Sequence, residues 1–409
     1  MTFKFYTSKS GIVKNINLYV HIDNDIFKFR TPLRIHDEEW DYARKRPKNI
    51  YLKKNKILNK KLDRIKVKIS EYIHDEKTHK NRISQRNLSR IIKQICIEKQ
   101  ITHGENSLLR FMQTYINNKK ELICDSTFKR YKVFYNLIQR FEGFMMKELL
   151  ISDVNSNFIR QFILFGTEEL YSENTLYRTI HFVKTILNFA ERKGIRTHVR
   201  ELNLRREKQK KEVISLTEKE ILKIKSTIIP KDLQPAKDWL IISCYTGQRF
   251  SDFMKFSKEK LLDVSGKTCI RFIQKKTQKE ILLPLHPEVI NILQLNRGEF
   301  PKPINIQHYN EQIKLIAKLA GINNSLKAKK RIEHRNKKLI VEKWQIISSH
   351  IGRRSFATNF YGKIPTPLLM EATGHSTEQI FMRYINTFDN DHIMRLGNYF
   401  DKEYNRVNS

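Results

Sequence analysis

Six polar residues in the C-terminal half of the chain could act together: Arg249, Lys276, His350, Arg353, His375 and Tyr384. Three cations and two imidazoles precede a phenol. Around them there is no HExxH or CxxC spacing of a metal cage and no glycine-rich nucleotide loop. Guanidinium groups offer forked donors that match two non-bridging phosphate oxygens, where an ammonium supplies a point charge. A phenol titrates near 10, so it becomes a nucleophile only beside a base or in a strong positive field. The set suits transfer of a nucleic-acid phosphodiester onto a tyrosine, a reaction that asks for no metal, ATP or other cofactor.

Singly, each residue has a plainer reading: a salt-bridged arginine, a solvated lysine, a tyrosine packed in a core. Local context strengthens the joint one. Arg249 lies in TGQRFSDF, where Asp252 follows one helical turn on and its carboxylate is expected to fix the guanidinium. Lys276 falls at the tip of an expected hairpin. His350 and Arg353 are three apart, so they project from one helix face, whereas Arg354 is rotated away by about 100°. His375 sits in the turn TGHS, ahead of the helix expected to carry Tyr384. Tyr361 and Tyr399 are expected to be packing residues.

These residues need a scaffold, and apolar periodicity outlines one. A helix is expected to open at a Thr217/Glu220 capping box, and a buried helix over 236–245 to end at Gly247. A hairpin is expected from 268–274 and 279–285, and a basic hairpin or loop over 327–343. Helices follow at 350–361, 365–373, 377–383 and 391–399. Upstream, apolar stripes predict four helices over 107–116, 126–145, 155–169 and 172–193, the second capped by Asp125 or Ser126 and the fourth stopped at Gly194. Residues 201–213, ELNLRREKQKKEV, read as a linker. The first hundred residues read as a small basic module with strands at 15–21 and 25–29 and a helix over 55–73.

Composition agrees with a polyanionic partner. The 409 residues hold 78 Lys plus Arg against 43 Asp plus Glu, a net charge of +35. The charge runs the whole length instead of concentrating on one amphipathic helix, which favours nucleic acid over a membrane surface. Lys129, Arg130, Lys132, Arg178 and Lys184 on the helical domain, Arg205 and Arg206 in the linker, and Lys330 and Arg331 in the basic hairpin are the candidate phosphate contacts. With 40% hydrophobic residues the chain can build packed cores. Cys96, Cys124, Cys244 and Cys269 are too scattered for a disulfide framework or a zinc site. With no apolar run that would cross a bilayer and no signal-peptide pattern, a soluble, cytoplasmic protein is expected.

The segments TGQRFSDF, QKKTQKEILLPL, SHIGRRSFATNF, TGHST and MRYIN resemble the tyrosine recombinase (phage integrase) family, with Arg, Lys, His-x-x-Arg, His and Tyr in its order. The layout is similar to integrases of Bacteroides-type mobile or conjugative elements. The resemblance implies a mainly α fold with small β-sheets (α+β) in several domains. These are an arm-binding module (1–103), a helical, SAM-like core-binding domain (104–200), the linker, and a mixed α/β catalytic domain of the DNA breaking-rejoining type with its tail (214–409). It implies that Tyr384 attacks the scissile phosphate to leave a 3′-phosphotyrosyl bond. Arg249 and Arg353 would grip the phosphate and Lys276, chosen over Lys275 by its place in the family hairpin, would protonate the leaving 5′-oxygen. His350 and His375 would assist, with the main base left open. It further implies double-stranded recombination sites and a homotetramer on DNA in the bacterial nucleoid. A host DNA-bending protein or excision factor would be a further partner. The tail helix bearing Ile393, Leu396, Tyr399 and Phe400 would be donated to a neighbouring protomer. A type IB topoisomerase is the alternative within the same chemistry, and a non-catalytic architectural DNA-binding protein the alternative outside it.

Overall fold

Alternating TFKFYT and NINLYVHI segments near the N-terminus pair into a sheet instead of the two strands expected from the second segment onward. In the computed structural model, β1 (Thr2–Thr7), β2 (Val13–Ile22) and β3 (Asp25–His36) form an antiparallel meander with a bulge at Asn15/Asn17. The structure describes residues 1–8, 11–50, 52–98, 103–202, 213–332, 335–385, 397, 400–401 and 406. Phe5, Ile16, Leu18, Val20 and Phe29 line the inner face of the sheet, buried with side chains from α1 (Lys53–Thr78) and α2 (Gln85–Ile97). Between sheet and helices runs a short ribbon of β4 (Trp40–Asp41) and β5 (Arg46–Pro47), which buries Trp40.

The chain folds as two compact units: residues 1–207 with 329–337, and residues 208–328 with 338–409. Besides the sheet module, the first unit holds α3 (Leu108–Lys119), α4 (Asp125–Met145), α5 (Ser156–Glu168) and α6 (Glu173–Glu191). Their apolar stripes meet in a core rich in aromatic rings, Phe141, Phe158, Phe162 and Phe165 among them. Ser107, Asn155 and Ser172 cap their helices through side-chain oxygens. The cap of α4 differs from expectation: Asp125 is already helical and Cys124 takes the cap position, its Sγ 3.2 Å from Ser126 Oγ. Asp125 instead places its carboxylate in the first turn, where the helix dipole favours it.

The second unit begins with α7 (Glu218–Ser226), opened by the Thr217/Glu220 capping box, and α8 (Gln234–Thr246), ended by Gly247. A single turn, α9 (Phe250–Phe253), leads to a three-stranded antiparallel sheet of β6 (Leu261–Val264), β7 (Lys267–Ile273) and β8 (Glu280–Pro284). Then come α10 (Pro287–Leu295), α11 (Ile306–Leu319) and the ribbon β9 (Ser325–Ile332) with β10 (Arg335–Glu342), of which residues 329–337 group with the first unit. The chain closes with α12 (Ile351–Phe360), α13 (Thr366–Thr373) and α14 (Glu378–Phe381). Packing centres on α8, whose Trp239, Leu240 and Ile242 are buried. Gly352 lets α12 approach α8 closely, since a Cβ there would collide with Ser243 Oγ. That approach brings the next residue, Arg353, to the end of α8.

Candidate active site

Arg353 lies at the centre of the site and is fully buried. Its Nη1 donates to the Gly247 carbonyl at 2.9 Å and its Nη2 to the Thr373 carbonyl at 2.8 Å. Nη2 also lies 2.9 Å from His375 Nε2. Its Nε has no partner among the described residues. The guanidinium is thus held by backbone carbonyls at the C-terminal ends of two helices, α8 and α13, while one N–H keeps its capacity to donate. Burial first, and then Arg249, push its pKa down to about 10, still charged at neutral pH.

The tautomer of His375 follows from its neighbours. Thr373 Oγ1 donates to the Leu369 carbonyl, so at 2.8 Å it must accept from His375 Nδ1–H. Nε2 then carries the lone pair that accepts from Arg353. Burial, followed by Arg353 and Arg249, holds this imidazole down to about 3, so it stays neutral. Its ring centroid lies 4.8 Å from that of Tyr384, and the Arg353 guanidinium lies 5.3 Å from the same phenol ring. Tyr384 stands not within α14 but on the 3₁₀ turn after it, Met382–Tyr384, with Phe381 and Ile385 buried on either side.

Arg249 and His350 complete the cationic wall. Arg249, at the N-cap of α9, donates from Nη1 to Gln274 Oε1 at 3.0 Å. Asp252 is 4.0 Å away, within ion-pair range, but its Oδ1 is taken by the Lys275 amide at 3.0 Å. The carboxylate therefore serves two sides, Oδ2 at ion-pair distance from Arg249 and Oδ1 bracing the hairpin turn, while the Gln274 amide side chain gives the guanidinium its hydrogen bond. His350 caps α12 by position, exposed, one residue before the helix. Its pKa is lowered by partial desolvation and by the charges of Arg354, Arg353, Arg249 and Lys276. Lys276 is exposed on the turn between β7 and β8, close enough for its charge to reach that imidazole. Arg354 is only partly exposed beside the buried Arg353.

Sequence reasoning missed Gln274, Gln248 and Thr373. Gln274 is fully buried, and its Nε2 donates to Gln248 Oε1 at 2.9 Å and to the Thr373 carbonyl at 3.0 Å. The period of two along β7 carries a signal for it, because Ile270 and Phe272 point inward and Gln274 continues that parity.

The candidate phosphate contacts are spread more widely. Lys129, Arg130 and Lys132 are exposed on α4 and Arg178 on α6, while Lys184 is 3.5 Å from the Leu202 carbonyl. Lys330 lies on β9; Arg331 is on the same strand with its side chain outside the described residues. Arg205, Arg206 and most of the expected linker also lie outside them, as do Ile393, Leu396 and Tyr399 of the expected tail helix.

Comparison with known proteins gives the same answer from two directions. Residues 107–201 match the phage integrase SAM-like domain, and residues 215–391 match the phage integrase family. Solved structures share the fold at low identity. A lambda integrase dimer bound to a COC′ core site matches with a TM-score of 0.50 and 17% identity over 68% of this chain and 95% of that one. The Tn1549 transposon integrase in complex with a circular intermediate DNA gives a TM-score of 0.53 and 15% identity over 71% and 99%. A lambda integrase tetramer bound to a Holliday junction gives 0.50 and 17% over 69% and 78%. Among curated proteins no match is found.

Proposed function

This chain belongs to the phage integrase family of tyrosine recombinases, enzymes of site-specific DNA recombination, and on that premise we propose how its own residues divide the reaction. Tyr384 Oη attacks the scissile phosphorus, the bond from phosphorus to the 5′-oxygen breaks, and a 3′-phosphotyrosyl link forms. The leaving oxygen takes its proton from Lys276. The unpartnered Nε of Arg353 and the unused donors of Arg249 face the non-bridging oxygens, where charge grows in the transition state. Both nitrogens of His375 are occupied, so it positions Arg353 and packs on the phenol, and the phenolic proton goes to His350, neutral at physiological pH. Because the phosphotyrosyl bond keeps the energy of the phosphodiester, rejoining is the same chemistry reversed.

The supporting observation is the buried Arg353 guanidinium 5.3 Å from the Tyr384 ring, with no carboxylate bound to it among the described residues. The domains carry proposals of their own. The four-helix segment and the catalytic segment would each contact core DNA, as a homotetramer at the junction stage, during integration or excision of a mobile element in the bacterial nucleoid. A host bending factor or an excision factor would set direction. The outward face of the N-terminal sheet bears Lys4, Lys28, Arg30 and Arg34 around the Tyr6–Tyr19 stack, a surface suited to a duplex groove at an arm site.

The test uses restriction fragments of the DNA flanking the gene and traps denaturation-resistant adducts, whose ends map the core site. Tyr384→Phe should retain fragment binding and form no adduct. Adducts persisting in that variant would show that another residue is the nucleophile.

A further inference from the structure

We propose that Gln274 is a positioning residue for strand cleavage, tying the Lys276 turn to both arginines. The inference rests on the assignment of Lys276 and Arg249 above and adds a residue outside that set. Gln274 is fully buried and uses all its hydrogen-bonding capacity. Its Oε1 accepts from Arg249 Nη1 at 3.0 Å and from Thr277 Oγ1 at 2.7 Å. Its Nε2 donates to Gln248 Oε1 at 2.9 Å and to the Thr373 carbonyl at 3.0 Å. That carbonyl also accepts from Arg353 Nη2, so one amide side chain reaches Arg249 directly and Arg353 through a shared acceptor.

Its backbone closes the turn that carries the lysine. The Gln274 amide donates to the Lys279 carbonyl, and the Gln278 amide donates to the Gln274 carbonyl, both at 2.9 Å. Gln248 anchors the far side by donating to the carbonyls of Thr246 and Ala372 at 2.9 and 2.7 Å. Gly374, in the left-handed region at φ +70°, admits the amide: a Cβ there would collide with Gln274 Oε1. Only Lys275 separates Gln274 from Lys276, so a shift of the buried amide passes directly to the exposed ammonium. A flexible lysine on a hairpin gains catalytic value only when its stem is fixed, and Gln274 supplies the fixture. A carboxylate at this position would not substitute, because it has no donor for Gln248 or for Thr373 and would draw Arg249 off the phosphate.

The experiment compares cleavage of two suicide duplexes built on the mapped core site. One has an ordinary scissile phosphodiester and the other a 5′-bridging phosphorothiolate, whose thiolate leaves without a proton donor. Gln274→Met keeps the volume and removes the hydrogen bonds. Its adduct formation on the ordinary duplex should fall about 100-fold, the scale expected for a misplaced group, with DNA affinity retained. On the phosphorothiolate the loss should shrink to less than about tenfold. Thr277→Val, on the exposed turn where folding is not at risk, should show the same selectivity at about fivefold, the scale of one neutral hydrogen bond. Equal losses on both duplexes, or no loss in either variant, overturn the proposal. Lys276→Ala separates this from the underlying assignment: if the phosphorothiolate does not rescue that variant, Lys276 is not the proton donor, and the failure lies there.

Discussion

Arginines are largely withdrawn from solvent in both units, Arg46 and Arg140 partly and Arg353 fully, and their surroundings differ in kind. In the first unit, at the seam of α1 and α4, Arg46 and Arg140 both close on Asp63, at 2.7 and 3.0 Å, and Glu169 lies 3.5 Å from Arg140. Although burial works against both charges, Asp63, Tyr171 and Glu169 raise the pKa of Arg140, whereas burial wins at Arg46, since one carboxylate serves two guanidiniums. In the second unit, Arg353 is held by carbonyls and an imidazole, its neighbour Arg249 is a like charge, and the carboxylate of Asp252 is shared between Arg249 and the hairpin without binding Arg353. Among the described residues one N–H is left unpaired on each guanidinium, at Arg46 Nη1, Arg140 Nε and Arg353 Nε alike. A cation beside a carboxylate nevertheless has its charge answered, whereas one held by dipoles still has capacity for an anion. The first arrangement fastens helices together, and the second waits for a phosphate.

Substitutions on the two sides should therefore separate stability from chemistry. Asp63→Ala leaves two guanidiniums without their carboxylate and should cost about 4 kcal/mol. Hydrogen exchange would read this as lost protection in α1 and α4, while the folded fraction still forms phosphotyrosyl adducts. Full protection in that variant would show that the seam does not depend on the shared carboxylate. Arg353→Lys should do the reverse: a point charge cannot serve Gly247, Thr373 and a phosphate together, and adduct formation should fall about 300-fold. Protection of α8 and α12 should change little. A variant that cleaves at the normal rate would remove Arg353 from the site, and one that unfolds would make it a structural residue like Arg140.

The same contrast explains what could be read from sequence. Charged residues at helical or turn spacing announce themselves. His350 and Arg353 stand three positions apart, the first exposed at the head of α12 and the second buried in its first turn, and Gly374 forces the turn that presents His375. Most expected helices in both units follow from apolar periodicity, with ends off by one to three residues where caps such as Cys124 compete with better-known ones. However, α1 runs five residues past its expected end, and α2, α10 and α11 have no counterpart among the expected helices. Asp252 lies at ion-pair distance from Arg249, as i, i+3 spacing suggests, but spacing could not show that its second oxygen holds the hairpin turn. Gln274 and Gln248 were harder. They are neutral, and their partners in the chain lie up to 124 residues away, so only the closed fold shows what they join. The Asp63 pairings were equally hidden, since α1 meets α4 across 77 residues of sequence. Asp63 lies one turn from the buried Asn59 on an otherwise lysine-rich helix, and nothing in its spacing marks it as an anchor.

Glu142 sharpens the comparison, because it is a buried charge at the seam for which pairing is incomplete. Its side chain accepts from the Leu149 amide at 3.0 Å, and the groups around it are mixed: Arg64 and Glu71 from α1, Glu148 beyond α4, and Tyr135 one α4 face away. Burial raises its pKa to about 8, with Glu148 and Glu71 adding to the rise and the Leu149 amide and Arg64 opposing it. Between its ordinary value near 4.5 and about 8, this group holds more protons folded than unfolded. Its ionisation therefore erodes stability as pH climbs through that window, and the loss is complete above it. Glu142→Gln keeps the acceptor for Leu149 and removes the charge. Hydrogen exchange at the α4 end should show no gain at pH 4.5 and a gain of about 2 kcal/mol at pH 8.5, allowing for relaxation around the carboxylate. A gain that does not change with pH would mean that packing, not ionisation, is at issue. A loss at pH 8.5 would mean that Arg64 pairs with the carboxylate as fully as Asp63 pairs with Arg140, making the seam charged and complete throughout.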